Sequence, residues 1–450
     1  MVSHYAGQFL HGNAHLPSRC DWMASITRPN HKLLHVIRVF GAKSAVSGAL
    51  LPYHCRMRIT FNAQTALLIT RTLRAKRTAP AKWGKHVELI APSPSPSKRF
   101  TKKLFDLPQL GLTTLPSAHS PISIAVPNKA SRLRMAGACN TIYGSDRSLP
   151  PRSFIEVGEG IAISCPELIF LEMAGVMPLM QLVMLGHELC GTFSRNPHDP
   201  INGDVTLSCA PATSRERIEA FARKARWNAN ARRALEAIAY VADDAWSPTE
   251  SIVATLASLP TQEFGYGFGR CILNKKIDTS TGLALAIGKE SRRPDILIKG
   301  TSVGLNYDGA VHLDLDSIVQ AAMELERHPE QAAAQLACDT IVRKVRAKAV
   351  DDIRRNRELA AAGFLVFPVT REDLYEEGAL DTVMLQIMKA IENQDERDMS
   401  QQKHLLEIKY LRGKRQELIW SVLPGKHPKR SAKLLGPAQP QSISEVTVGF

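Results

Sequence analysis

The sequence predicts an α/β protein (α+β overall) with two organised parts. A small β-rich and helical domain spans 121–245, and a mixed sheet flanked by helices spans 246–395. Three observations predict this. Short alternating or β-branched runs bounded by turn residues read as strands. Longer amphipathic stretches that open on capping sequences read as helices. In the second part the order is helix, three strands, helix, strand, helix, and strand–helix–strand order implies a mixed sheet with helices on its faces.

The first 120 residues come before this. Residues 1–56 have no clear periodicity and read as a disordered leader, or as an extension ahead of a start at Met57. They are acid-poor and contain Arg, but no charged segment leads into an apolar core, so they do not form a secretory signal. Within 57–120, residues 59–75 read as the first organised helix. Residues 78–110, rich in Pro, Ser and Lys and including the Ala91–Ser97 repeat of Pro and Ser, read as a linker.

In the first organised part, Ile122–Val126, Thr141–Tyr143 and Ile161–Ser164 alternate as strands. Pro166 opens a helix to about Ala174, and a second helix runs from about Pro178 to Leu189. Proline is tolerated in a first helical turn. The apolar run from Leu168 to Cys190 is broken by Glu172, Pro178, His187 and Glu188. It therefore falls short of the ~20 apolar residues of a membrane span and reads as buried helices. Residues 213–243 read as a helical pair, with Thr213-x-x-Glu216 as a capping box.

In the second part, Ser247-Pro-Thr-Glu250 opens a helix to about Leu259. A carboxylate in a first turn complements the helix dipole, so Glu250 has a capping role available to it. Leu283–Ile287, Asp295–Ile298 and Val303–Asp308 follow as strands. Helices at 314–326 and 329–362, a strand at Phe364–Val369, a helix at 371–394 and a basic tail at 396–450 complete the chain.

Composition narrows the function. With 450 residues the chain can hold about two or three domains with sizeable cores. The net charge of +14 lies entirely in 1–110, which carry seventeen Lys/Arg against three Asp/Glu, while the remainder carries forty of each sign. Attraction to nucleic acid must then come from local patches or from the flanks. One such flank is the tail 402–450, with nine Lys/Arg against three acids. The eight cysteines form no CxxC pair, which argues against a zinc site, and their scatter suits a reducing cytoplasm. No membrane partner is expected.

Asp295 and Asp308 lie thirteen residues apart, each at a strand end. Pro-Asp and Asp-Gly pairs are also common turn chemistry. Two carboxylates on adjacent strands can nevertheless give a hard cation its oxygen ligands. Glu250 can reach the same site from its helix, and His312 follows the Gly309 turn, placed to act as a general acid or base near neutral pH. Arg355 can contact phosphate or pair with Asp351 or Asp352.

Together these residues resemble the restriction-endonuclease-like, PD-(D/E)XK, superfamily, and within it the very-short-patch repair (Vsr) endonucleases and their small relatives. The resemblance rests on Arg293-Pro294-Asp295-Ile296, on Tyr307-Asp308-Gly309-x-x-His312, and on Asp352-x-x-Arg355-Asn356-x-x-Leu359-x-x-x-Gly363-x-x-Val366, and covers about 247–395. It implies a metal-dependent DNA endonuclease using Mg²⁺ or Mn²⁺. Asp295, Asp308 and Glu250 would be ligands, His312 an acid or base, and Arg293, Arg354 and Arg355 nucleic-acid contacts. DNA is the expected partner, and RNA stays open. Ile163-Ser164-Cys165-Pro166-Glu167-Leu168-x-x-Leu171-x-x-Ala174 resembles AbiEi-type antitoxins. This implies a regulator-like domain, a bacterial defence or toxin–antitoxin context, and a cognate toxin or antitoxin as partner. The chain departs from the superfamily on its third strand. Asn306 stands in the acidic position, and Asp308 stands where the lysine is expected. These departures favour an alternative, a catalytically inactive nuclease fold acting as a DNA-binding regulator.

Overall fold

A computed structural model describes residues 58–93, 105–144, 149–278, 291–308, 315–327 and 332–425. The expected leader at 1–56, the middle of the Pro/Ser/Lys segment, the strand at 283–287, His312 and the last part of the tail lie outside the described residues.

The first sheet is built from β1 (Ile59–Phe61), which leads through Asn62 into α1 (Ala63–Ala75), and from β2 (His86–Val87), β3 (Ile122–Val126), β4 (Ala138–Ile142), β5 (Phe154–Gly158) and β6 (Ile161–Ser164). Its order is β2-β5-β6-β1-β3-β4. β1 is central, parallel to β6 and antiparallel to β3. The expected single helix at 59–75 is therefore a strand followed by a helix. Three residues are too few to display a period of two, yet Ile-Thr-Phe is β-branched and aromatic, and all three are buried. β4 starts three residues ahead of the expected strand at 141–143, because parallel pairing with β3 extends through Ala138. β5 is not among the expected strands; it forms a hairpin with β6 that turns through Gly160 at φ 74°. The described flanks of the Pro/Ser/Lys segment are packed: Trp83 donates its indole N–H to Thr78 O at 2.9 Å, and Phe105 meets Phe61 edge to face.

α2 (Pro166–Met173) and α3 (Leu179–Cys190) are almost wholly buried, as the apolar run predicts. A short ribbon follows, β7 (Phe193–Ser194) with β8 (Thr206–Leu207), and then α4 (Arg215–Lys224) and α5 (Ala231–Ile238). The expected capping box on Thr213 is replaced. Ser214 caps α4 by accepting Arg217 N–H, while Thr213 Oγ1 donates to Glu167 Oε1 at 2.6 Å. The residue next to the predicted cap does the capping because Thr213 is drawn inward by a buried carboxylate.

The second sheet follows α6 (Pro248–Ser258), which packs on α3. It contains β9 (Cys271–Leu273), β12 (Ile296–Ile298), β13 (Val303–Asp308) and β14 (Leu365–Thr370), in the order β14-β13-β12-β9. A two-stranded ribbon of β10 (Ile277–Asp278) and β11 (Ser291–Arg292) lies between β9 and β12 in the chain. β12 is antiparallel to both neighbours, whereas β13 and β14 are parallel. A parallel pair needs a long crossover. Here α7 (Leu315–Arg327) and α8 (Ala332–Ala361) provide it. β12 and β13 approach closely at Gly304, where a Cβ would stand 2.6 Å from Ile296 O.

The expected single helix at 371–394 is two, α9 (Arg371–Tyr375) and α10 (Ala379–Asp395). Gly378, at φ 83°, divides them, and Thr370 with Asp373 forms a capping box at the start of α9. α11 (Ser400–Glu407) and α12 (Lys409–Val422) close the described chain. The molecule is thus a mixed α/β fold, and one apolar cluster runs from Ile59 to Leu423. No described helix is long and apolar enough to cross a membrane.

Candidate functional site

The β12–β13 register pairs Ile296 with Leu305 and Leu297 with Gly304, so Asp295 falls opposite Asn306. The pairing is completed by side chains. Asp295 N–H donates to Asn306 Oδ1 at 3.0 Å, and Tyr307 N–H donates to Asp295 Oδ2 at 2.8 Å. Asn306 is fully buried, and its Nδ2 donates to Asn356 Oδ1 on α8 at 3.0 Å. Both ends of this amide are therefore committed to holding β12, β13 and α8 together.

Asp352, Arg355, Asn356 and Leu359 recur at helical spacing, so one face of α8 carries all four to the sheet. Arg355, with its side chain 17% exposed, meets three carboxylates: Nη1 is 3.8 Å from Asp295 Oδ1, and Nη2 is 3.6 Å from Asp308 Oδ1 and 3.4 Å from Asp352 Oδ1. Of the two helix acids the sequence offers Arg355, Asp352 is its partner. Asp351 instead pairs with Arg292, which also forks onto buried Glu358. That second pair clamps α8 to β11.

Glu250 has the capping role open to it, and more. Ser247 Oγ accepts its N–H at 3.2 Å, and its Oε2 accepts Trp246 N–H at 3.0 Å. Its Oε1 accepts Asn274 Nδ2 at 2.6 Å. The carboxyl is buried and faces Asp295. Burial first, and the Asp295 charge second, push it up to about 8. Burial likewise lifts Asp295 to about 6, against the pull of Arg355 and the Tyr307 N–H, while Asp308 and Asp352 push it further up. Two acids that repel one another, Glu250 buried and Asp295 half-buried, share protons near neutral pH.

Glu250, Asp295, Asp308 and Arg355 are thus brought together. Arg293 is turned to another task, donating from Nη1 to Asn274 O at 2.7 Å. Arg354 is exposed on α8. Asp352, Asn274 and Asn356 belong to the cluster although sequence reasoning assigns them no site role. For Asp352 and Asn356 the available signal is their spacing from Arg355 and Leu359.

Among the described residues no three His, Cys, Asp or Glu side chains are grouped closely enough to hold a metal ion. The Glu250–Asp295 pair still suits a divalent cation by its chemistry. Its donors are hard oxygens, and the local charge is negative, with three carboxylates, Asp295, Asp308 and Asp352, around the one guanidinium of Arg355. Mg²⁺ commonly binds through only one or two carboxylates and keeps its waters. No protein-family model matches the chain, and neither a curated protein nor a solved structure matches it.

Proposed function

We propose that the part of the chain around Asp295 is a metal-dependent endonuclease acting on DNA phosphodiesters in the cytoplasm. The observation that carries this reading is the mutually repelling pair of buried Glu250 and half-buried Asp295, whose acidity is depressed towards neutrality. The reading is supported by the order of the second sheet, in which α6 precedes β9, β12 and β13 and crossover helices lead on to β14, with the β10–β11 ribbon inserted after β9. A defence or toxin–antitoxin context, with an AbiEi-like partner domain, rests on the resemblance alone.

Glu250 and Asp295 would hold Mg²⁺ or Mn²⁺. Bound there, the ion supplies charge neutralisation at phosphate and a more acidic water. The chain's own contribution is positional. Tyr307 N–H and Asn306 fix Asp295, Ser247 and Asn274 fix Glu250, and Arg355 offsets Asp308 and Asp352. Glu250, at about 8, can hold or release a proton within the working range. His312 and the exposed Arg354 are the further acid–base and phosphate groups of this reading.

The test is nicking of supercoiled DNA by the full chain with Mg²⁺ or Mn²⁺. Asp295→Asn and Glu250→Gln should each lower the rate by about 100-fold or more with unchanged circular dichroism. Undiminished cleavage by Asp295→Asn rules the reading out.

A second reading, a nuclease fold that binds DNA without cutting it, is favoured by Asn306. An amide replaces the expected acid, and both its ends are occupied. This reading predicts salt-sensitive DNA binding and no cleavage with any divalent ion.

A further inference from the structure

We infer that the first sheet and its helices carry a separate binding site, a cleft for a nucleotide-sized phosphate ester. It is independent of the nuclease reading.

A cavity of about 330 Å³ lies between β2, the loop entering β5, the start of α2, and α4. Four basic side chains line it, His86, Arg152, Arg217 and Lys224, against one acid, Glu167. That acid is already committed. It is 5% exposed, accepts Thr213 Oγ1 at 2.6 Å, and pairs with Arg217 Nη2 at 2.8 Å. The side chains of His86, Arg152 and Lys224 make no hydrogen bond or ion pair to any described residue. Arg152 and Lys224 thus line the cavity as cations without a counter-charge, and an anion bound there would supply one. Guanidinium forks match phosphate oxygens in pairs, and a Lys adds a point charge. Cys165, which begins α2 without a side-chain cap, also lines the cavity, so the positive end of that helix adds to the attraction.

A second cavity of about 220 Å³ shares His86, Glu167 and Arg217 with the first. Its other walls are largely apolar and include Trp83, Ile155 and Pro166. Trp83 is held in place by its bond to Thr78 O. One end of the cleft is thus cationic and the other apolar and aromatic; between them stands Glu167, whose Oε1 is taken by Thr213 and Arg217, leaving Oε2 to accept a hydroxyl. Together the cavities fall within the roughly 300–1,000 Å³ of small-molecule sites. A nucleotide has this polarity: phosphate among Arg152, Arg217 and Lys224, base towards Trp83, sugar hydroxyls near Glu167.

Calorimetry on the full chain at low salt tests this with four probes: inorganic phosphate, adenosine, AMP and a short single-stranded oligonucleotide. AMP should bind more tightly than either phosphate or adenosine. The double variant Arg152→Ala/Lys224→Ala removes two exposed side chains, and it should weaken AMP by about tenfold or more. Arg152→Glu alone should weaken it in the same direction, which guards against a folding fault in the double variant. An oligonucleotide that binds more tightly than AMP, and loses affinity in the same variants, upholds the site and makes a nucleic-acid strand the source of the phosphate. No AMP binding, or AMP binding equal in wild type and variants, overturns the proposal. Adenosine binding as tightly as AMP overturns the phosphate end, and phosphate binding as tightly as AMP overturns the nucleotide assignment.

Discussion

Asn306 Oδ1 accepts the backbone N–H of Asp295 at 3.0 Å, bridging β13 to the segment that opens β12. The other end of the amide donates to Asn356 Oδ1. Asn306→Asp would keep the acceptor but lose the donor, and would add a buried charge beside Asp295 and Asp308. A destabilisation of about 2–4 kcal/mol is expected at pH 8. It should shrink at pH 5, where the introduced carboxyl, once protonated, can again donate. Urea denaturation at the two pH values measures this. A variant as stable as wild type at pH 8 would show that the bridge carries little energy.

The Glu250–Asp295 pair sets a pH dependence with a definite sign. Both folded-state values lie above the ordinary ones, about 8 against 4.5 and about 6 against 3.8. The native state therefore keeps protons that the unfolded chain has released. Their contribution is most favourable below about pH 4 and is lost progressively as pH rises to about 8. Asp295→Asn removes the charge facing Glu250, so Glu250 should titrate at lower pH and the loss of stability should end earlier. Carboxyl-carbon NMR of Glu250 in both proteins reads the shift directly, and an unchanged Glu250 midpoint would contradict the pairing.

Arg415 ties α12 into the body of the fold. It is 2% exposed, with Nη1 at 2.8 and 2.9 Å from the two oxygens of Asp381, and it stacks over Tyr266, whose hydroxyl donates to Asp381. Arg415→Met should cost about 2–4 kcal/mol, because buried Asp381 then keeps only the half-exposed Arg412, 3.5 Å away, as its cation. The midpoint of chemical denaturation measures the cost. The double variant Arg415→Met/Asp381→Leu should recover much of the loss, since replacing both partners removes the stranded charge.

Much of this protein can be read from local sequence. Ser247 caps α6 as its Ser-Pro-x-Glu text predicts, and the apolar run at 168–190 folds as two buried helices. β13 and β14 stand close to where alternation and apolarity put them. These features depend on residues within a turn or two of each other, so the chain carries their cause locally. β1, β5 and β9 escape such reading because their own residues show no clear alternation, and the neighbours they pair with decide them. The same holds at the candidate site. That Asp295 and Asp308 are acids on strand ends follows from the sequence alone. That Arg355 stands among Asp295, Asp308 and Asp352, that Asn306 serves as a bridge, and that Glu250 both caps its helix and faces Asp295 were decided only by tertiary structure. The sheet and α8 bring together charges far apart in the chain, and burial there makes each carboxyl's acidity depend on partners that no local pattern names.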